Sequence, residues 1–171
     1  MNSARKIALV TGVFFMITII PAPIAQFFLY DSVLNDVDYI VGAGADANVR
    51  LGAFLEVIIA IAIIGTAVTL FPLLKRQHEG FALGYVAARI FESTMIVVGI
   101  IGLLSVVTLR QEFAGVAGAE AASLVEVGRS LVAIHDWTFL LGPGLMPGLN
   151  DILIPSQTSK PQSLAALCNR G

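Results

Sequence analysis

Five side chains carry most of the chemistry that this sequence offers. Glu56, Arg89, Glu92 and Asp136 stand in stretches otherwise nearly free of charge, and His135 adjoins the last of them. Ionisable groups in apolar surroundings are costly, and they persist where they are paired or serve an ion or solute path. Arg89 and Glu92 are three residues apart, so on a helix they share a face and can pair. Two readings stay open for them: a structural ion pair that fixes helix packing, or a clamp at Arg89 for a substrate carboxylate or phosphate. The long Arg89 side chain could also snorkel toward water at its end of the helix. Glu56 is flanked on its own helical face by Ala53 and Ala60, a small-residue pattern that suits a helix contact better than a lipid face.

Glu56 and Asp136 each lie about five residues inside the outer end of a helix, so the two carboxylates are expected at one depth. With His135 they would form an outward-facing polar pocket that carries a proton or binds a cation. The alternative is that both reach interfacial water and do nothing. At about 1.5 Å per residue, Glu56 and Arg89 differ by roughly 15 Å in depth, and no direct pair between them is expected.

The elements that must position these groups are set by the distribution of charge. Only 13% of the 171 residues are charged, 57% are hydrophobic and the mean hydropathy is +0.87. Soluble domains average about 25% charged, so the composition excludes a disordered chain and argues against an ordinary soluble domain. No charge occurs over the 24 residues from Ile7 to Tyr30, the 18 from Val57 to Leu74 or the 17 from Ser93 to Leu109. A bilayer core of about 30 Å takes roughly 20 helical residues. The segments are apolar all round, without the polar stripe of a soluble bundle. The sequence therefore predicts an all-α integral membrane bundle of four transmembrane helices, about 7–29, 51–74, 81–109 and 131–154. The fourth is the weakest, holding Asp136, Asp151, Pro143 and Pro147. Helix 1 lacks a small-residue cleavage pattern, so it reads as uncleaved and kinked by Pro21 and Pro23.

Arg5, Lys6, Lys75, Arg76, Lys160 and Arg170 fall on one side of such a bundle, and the acidic loops 30–50 and 110–130 on the other. The positive-inside rule then places both termini in the cytoplasm and the protein in the plasma (inner) membrane, with Tyr30, Tyr39 and Trp137 at the outer interface. Residues 1–154 form one transmembrane domain, and 155–171, rich in Ser, Gln and Pro, read as a disordered polar tail. Asn48 is expected to cap helix 2. The stretch 119–130 either lies on the outer surface or extends helix 4. Gly80/Gly84 and Gly144/Gly148 have the spacing of close helix packing.

A net charge of −2 offers no basic field for nucleic acid. The single cysteine, Cys168, excludes an internal disulfide and a multi-cysteine metal cluster. His78 and His135 are expected on opposite sides of the membrane, so no metal site is implied, and no cofactor motif occurs. Gly42 to Asp46 is glycine-rich but lacks the third glycine and the flanking elements of a nucleotide loop, and reads as a flexible turn. No nucleophile elbow, zincin motif or P-loop is present, so an enzyme is not expected. The expected partner is the lipid bilayer, together with a second copy or another membrane protein of undefined identity. Three function classes remain: an uncharacterised multi-pass membrane protein, a small-solute or ion- and proton-handling protein using the buried carboxylates, and a non-catalytic scaffold.

A further pattern joins these residues. Leu51-Gly52-Ala53-Phe54-Leu55-Glu56-Val57 opens helix 2 and Phe71-Pro72-Leu73-Leu74-Lys75-Arg76 closes it; Ala82-Leu83-Gly84-Tyr85-Val86, Arg89-Ile90 and Glu92 follow, then Asp136-Trp137 and Leu141-Gly142-Pro143-Gly144-Leu145. Together they resemble the bacterial integral-membrane family called domain of unknown function 4386, over about residues 4–154. The resemblance implies a multi-helix inner-membrane protein without an assigned activity, and it singles out Glu56, Arg89, Glu92 and Asp136 as motif positions. Members of that family usually continue through a basic loop into two more helices. Residues 155–171 lack that pattern, so a truncated or frame-shifted product is expected.

Overall fold

A computed structural model describes residues 3–36, 38–42, 44–115 and 117–144. Among them every regular element is helical. They are α1 (Ser3–Ile19), α2 (Pro21–Ile24), a π-helical turn (Ala25–Leu29), α3 (Asp31–Asn35), α4 (Asp46–Lys75), α5 (Glu79–Glu112), α6 (Ala119–Phe139) and a second π-helical turn (Leu140–Gly144). Among the described residues, three stretches are long and apolar enough to cross a membrane: Arg5–Leu29, Asp46–Lys75 and Glu79–Glu112.

Local chemistry explains where the helices break. Pro21 and Pro23 lack a backbone N–H, and the first helix ends at Ile19 just before them. The chain then widens into a π turn, closed by the Tyr30 N–H donating 2.9 Å to the Ala25 carbonyl. At the other end of the bundle, α4 stops at Lys75. The Gln77 and His78 N–H groups both return to the Leu74 carbonyl, and Lys75 pairs with Glu79 at 3.1 Å across the turn. So short a connection forces α4 and α5 to run antiparallel. Both long helices carry an acid in the first turn and a base in the last (Asp46 and Lys75, Glu79 and Arg110), which complements their dipoles. They thus extend past the predicted limits of 51–74 and 81–109.

α4 and α5 form the central pair, α1 lies on α4, and α6 lies on α5. Thr11 Oγ donates 3.1 Å to Thr69 Oγ and the Phe14 ring packs over Gly65, so α1 runs antiparallel to α4 and Arg5 and Lys6 lie at the same end as Lys75 and Arg76. Inner faces are small and apolar: Ala53, Ile59, Ala60 and Ile63 of α4 meet Ile96 and Ile100 of α5. Ser93 Oγ reaches the Ala60 carbonyl at 3.2 Å and sets their register. The outward faces, with Phe54, Ile61, Val68 and Ile101 exposed, are as apolar as the inner ones. That inversion suits lipid as the solvent.

Several expectations need correction. The cap at α4 is not Asn48: the helix begins two residues earlier, and no side chain caps it. α6 begins at Ala119 rather than about 131, so 119–130 extends helix 4. Its expected second half, 145–154, lies outside the described residues, as do Gly148, Asp151, Cys168 and the tail 155–171. Gly80 is not a packing glycine, since a Cβ there would meet only the His78 ring.

The close approaches lie at other glycines. A Cβ at Gly52 would stand 2.4 Å from Tyr30 Cε1, whereas one at Gly12 would meet nothing within 4 Å. Gly52→Val is therefore expected to lower stability by about 1–3 kcal/mol through overpacking. Gly12→Ala should leave it equal or slightly raised. Thermal unfolding in micelles checks both; equal effects would contradict the packing.

Candidate functional site

Arg89 and Glu92 project from the inner face of α5 and are 5% and 6% exposed. Arg89 Nη1 meets Glu92 Oε2 at 2.6 Å. The guanidinium carbon lies 5.9 Å from the centre of the Phe15 ring on α1, a cation–π distance. Arg89 Nε–H is buried and has no acceptor among the described residues. The side chain is thus enclosed by helices rather than extended to the water at the helix end.

Glu56, on α4, is 8% exposed and accepts a 2.9 Å hydrogen bond from the Tyr30 hydroxyl. Tyr30 reaches it because the π turn rotates the chain inward after Leu29 and because Gly52 leaves room for the ring. The His135 ring of α6 stands edge-on to Tyr30, with ring centres 5.4 Å apart, and its Nε2 lies 3.4 Å from Gln26 Oε1. Gly99 of α5 makes this possible, since a Cβ there would sit 3.0 Å from His135 Nδ1.

Glu56, Arg89 and Glu92 line one cavity of about 420 Å³ between the helices. Its remaining walls come from α1 (Phe15, Thr18), α4 (Ile59, Ile63), α5 (Ile96) and Phe139 and Pro143 at the end of α6. Glu56 and Arg89 do not pair directly, yet they share this space. Asp136 does not join them. It is exposed on the other side of α6 and borders a separate cavity of about 160 Å³ with Asp36, Tyr39 and Arg129. The expected Glu56–Asp136–His135 pocket is therefore corrected: His135 comes near Glu56 through Tyr30, while its neighbour in sequence points away. Successive residues differ by about 100° around a helix, and on α6 it is His135 that takes the inward direction while Asp136 stays exposed.

Sequence reasoning missed two tyrosines and a glutamine. Tyr30 and Tyr39, expected at the interface, are buried; Trp137 is 63% exposed. Tyr39 donates 2.9 Å to Asp46, which also pairs with Arg110 and accepts from Gln111 at 2.9 Å. Burial, and then the bond to Asp46, pushes the Tyr39 hydroxyl above the usual phenol range. Arg110 Nε also donates 2.9 Å to the Gly42 carbonyl, so the segment read as a flexible turn is tied to α5. The signal for these contacts was a hydroxyl-bearing aromatic at the end of an apolar run or in the loop beyond it, which sequence alone assigns equally well to the interface.

A family model described as Domain of unknown function (DUF4386) matches residues 10–156. No curated protein and no solved structure matches the chain.

The ion pair makes a quantitative prediction. Glu92→Gln leaves a buried guanidinium without its counter-charge, and the expected loss is about 3–5 kcal/mol. Replacing both partners, Arg89→Met with Glu92→Leu, removes the charge as well and should cost clearly less than the single change. Denaturant titration in mixed micelles completes the cycle; additive losses would contradict a buried, coupled pair.

Proposed function

The chain belongs to the DUF4386 family, and we propose that it is a four-span membrane protein that takes a small solute or ion into the cavity between Glu56, Arg89 and Glu92. One observation carries the reading: a cavity of about 420 Å³ opens between the helices of an apolar bundle, with three charged side chains on its wall. Ligand sites are typically concave and mostly apolar, with a few convergent polar groups. Intramembrane ionisable residues are ordinarily found on such paths. A structural ion pair would need Arg89 and Glu92 alone. Glu56 comes from another helix, has no cationic partner among the described residues, and is held by Tyr30. That third charge favours solute or ion handling over a scaffold role. The reading assigns the cavity no covalent step.

In this reading the fourth span includes the later turns of α6. Arg5, Lys6, Lys75 and Arg76 gather at one end of the bundle, and the positive-inside rule makes that end cytoplasmic. Both termini then face the cytoplasm of a bacterial inner membrane, and the partner along the outer faces is lipid.

Two labelling experiments test this with Cys168→Ser as background. A membrane-impermeant maleimide should label Asp38→Cys in intact cells and Gln77→Cys only after permeabilisation; the reverse overturns the orientation. Thr18→Cys, on the cavity wall, should react with a small water-soluble methanethiosulfonate. Met16→Cys, on the outward face of α1, should not. Equal, negligible reaction at both positions would leave only the structural ion pair.

A further inference from the structure

The cavity's wall carries two unmet demands, and they differ in kind. Glu56 is a carboxylate that no cation approaches among the described residues; its hydrogen-bond donor is the Tyr30 hydroxyl. A carboxyl so placed is neutralised either by a proton or by a positive partner, and a cation in the cavity would supply the second. Arg89 already has its counter-charge in Glu92, so it calls for no second anion. What it lacks is an acceptor for the buried Nε–H, and a buried donor without an acceptor is itself costly. Counting Glu56, Glu92 and Arg89 as ionised, the wall is one charge short of neutrality on the positive side.

Register gives the spacing between these two demands. Ser93 bonds to the Ala60 carbonyl, so those residues share a level on antiparallel helices. Glu56 lies four residues from Ala60 toward one end, and Arg89 four residues from Ser93 toward the other. Their Cα atoms are thus about 12 Å apart in depth at about 1.5 Å per residue. Arg89 Nη1 meets Glu92, whose Cα stands about one turn nearer the level of Glu56. The wall between them is apolar, with Ile59, Ile63 and Ile96.

We propose that this cavity binds a singly charged organic cation: a protonated amine that meets Glu56, carried on an apolar chain of several bonds whose far end presents a neutral acceptor, a hydroxyl or carbonyl oxygen, to the Arg89 guanidinium. The proposal rests on the cavity being open to solutes, as argued above. A zwitterion fits less well, because its acid group would compete with Glu92 for Arg89. A small metal cation fits less well too, because it would leave the Arg89 donor unmet and the apolar wall unused.

Four probes of matched length test it: 6-aminohexan-1-ol, hexylamine, hexan-1-ol and 6-aminohexanoate. The readout is protection of Thr18→Cys, in the Cys168→Ser background, from methanethiosulfonate labelling of the whole purified chain in detergent. The expected order is 6-aminohexan-1-ol first, hexylamine several-fold weaker, and hexan-1-ol and 6-aminohexanoate at least tenfold weaker than the amino alcohol. Glu56→Gln should abolish protection by both amines. Arg89→Lys, which keeps the charge but removes Nε–H, should make the amino alcohol no better than hexylamine. The probe order is read on the unaltered pocket charges, so it stands even if a variant fails to fold. Protection by hexan-1-ol or 6-aminohexanoate equal to that by the amines would overturn the class, as would labelling that no probe slows. If Thr18→Cys does not react at all, it is the solute-accessible cavity that fails.

Discussion

A charge inside a hydrocarbon slab must be met by the protein, since no solvent is there to meet it. Placing an arginine at the centre of a membrane helix costs about 2.5–3.5 kcal/mol on insertion scales. Arg89 stands on the face of α5 that the other helices enclose, and the rest of the bundle follows from keeping it there. Glu92 supplies the counter-charge one turn away, and Phe15 brings the face of an aromatic ring from α1. α4 closes the next side and brings Glu56 with it. Glu56 in turn requires a donor, and that donor is Tyr30, which reaches inward only because two prolines break α1 and a π turn follows. Gly52 and Gly99 then admit the Tyr30 and His135 rings to places where a methyl group would collide.

Much of this was legible in the sequence, and the limits have physical causes. The three long apolar runs mark membrane-spanning helices because run length is the bilayer's own criterion. The helices outlast the runs because Asp46, Lys75, Glu79 and Arg110 sit in terminal turns, where charge favours the helix rather than ending it. Arg89 and Glu92 could be paired from their spacing, since a three-residue interval is a local geometric fact. The Tyr30–Glu56 bond spans 26 positions and depends on a π turn that no spacing rule announces. His135 and Asp136 have nearly the same depth, so depth could not say which of them faces inward. The start of α6 was placed late because Glu120, Glu126 and Arg129 make its first turns polar, which ends a membrane span but not a helix.

The site combines features that a purely structural cluster has no reason to combine. Buried polar networks that only hold a fold tend to be satisfied, because a half-satisfied one is worse than an apolar core. Among the described residues, one carboxylate here lacks a cation and one guanidinium N–H lacks an acceptor, both beside a cavity that packing could have filled with a leucine or a phenylalanine. The second polar network, around Asp46, Arg110, Tyr39 and Gln111, makes a useful contrast within the same chain. It ties the end of α5 to the start of α4, its acid and base are matched, and its carboxylate accepts from three side chains. That cluster reads as a clasp. The central one reads as a place with room left in it.

Water is the simplest occupant of such a room, because polar cavities large enough to hold it generally do. Water-edited solid-state NMR of the side-chain nitrogens, on the unmodified chain in bilayers, tests this directly, with Arg89 assigned by its loss in Arg89→Lys. The account predicts that water polarisation reaches the Arg89 guanidinium about as fast as that of Arg110 at the end of its helix. Transfer to Arg89 as slow as to the amide of a lipid-facing residue such as Ile61 would contradict it.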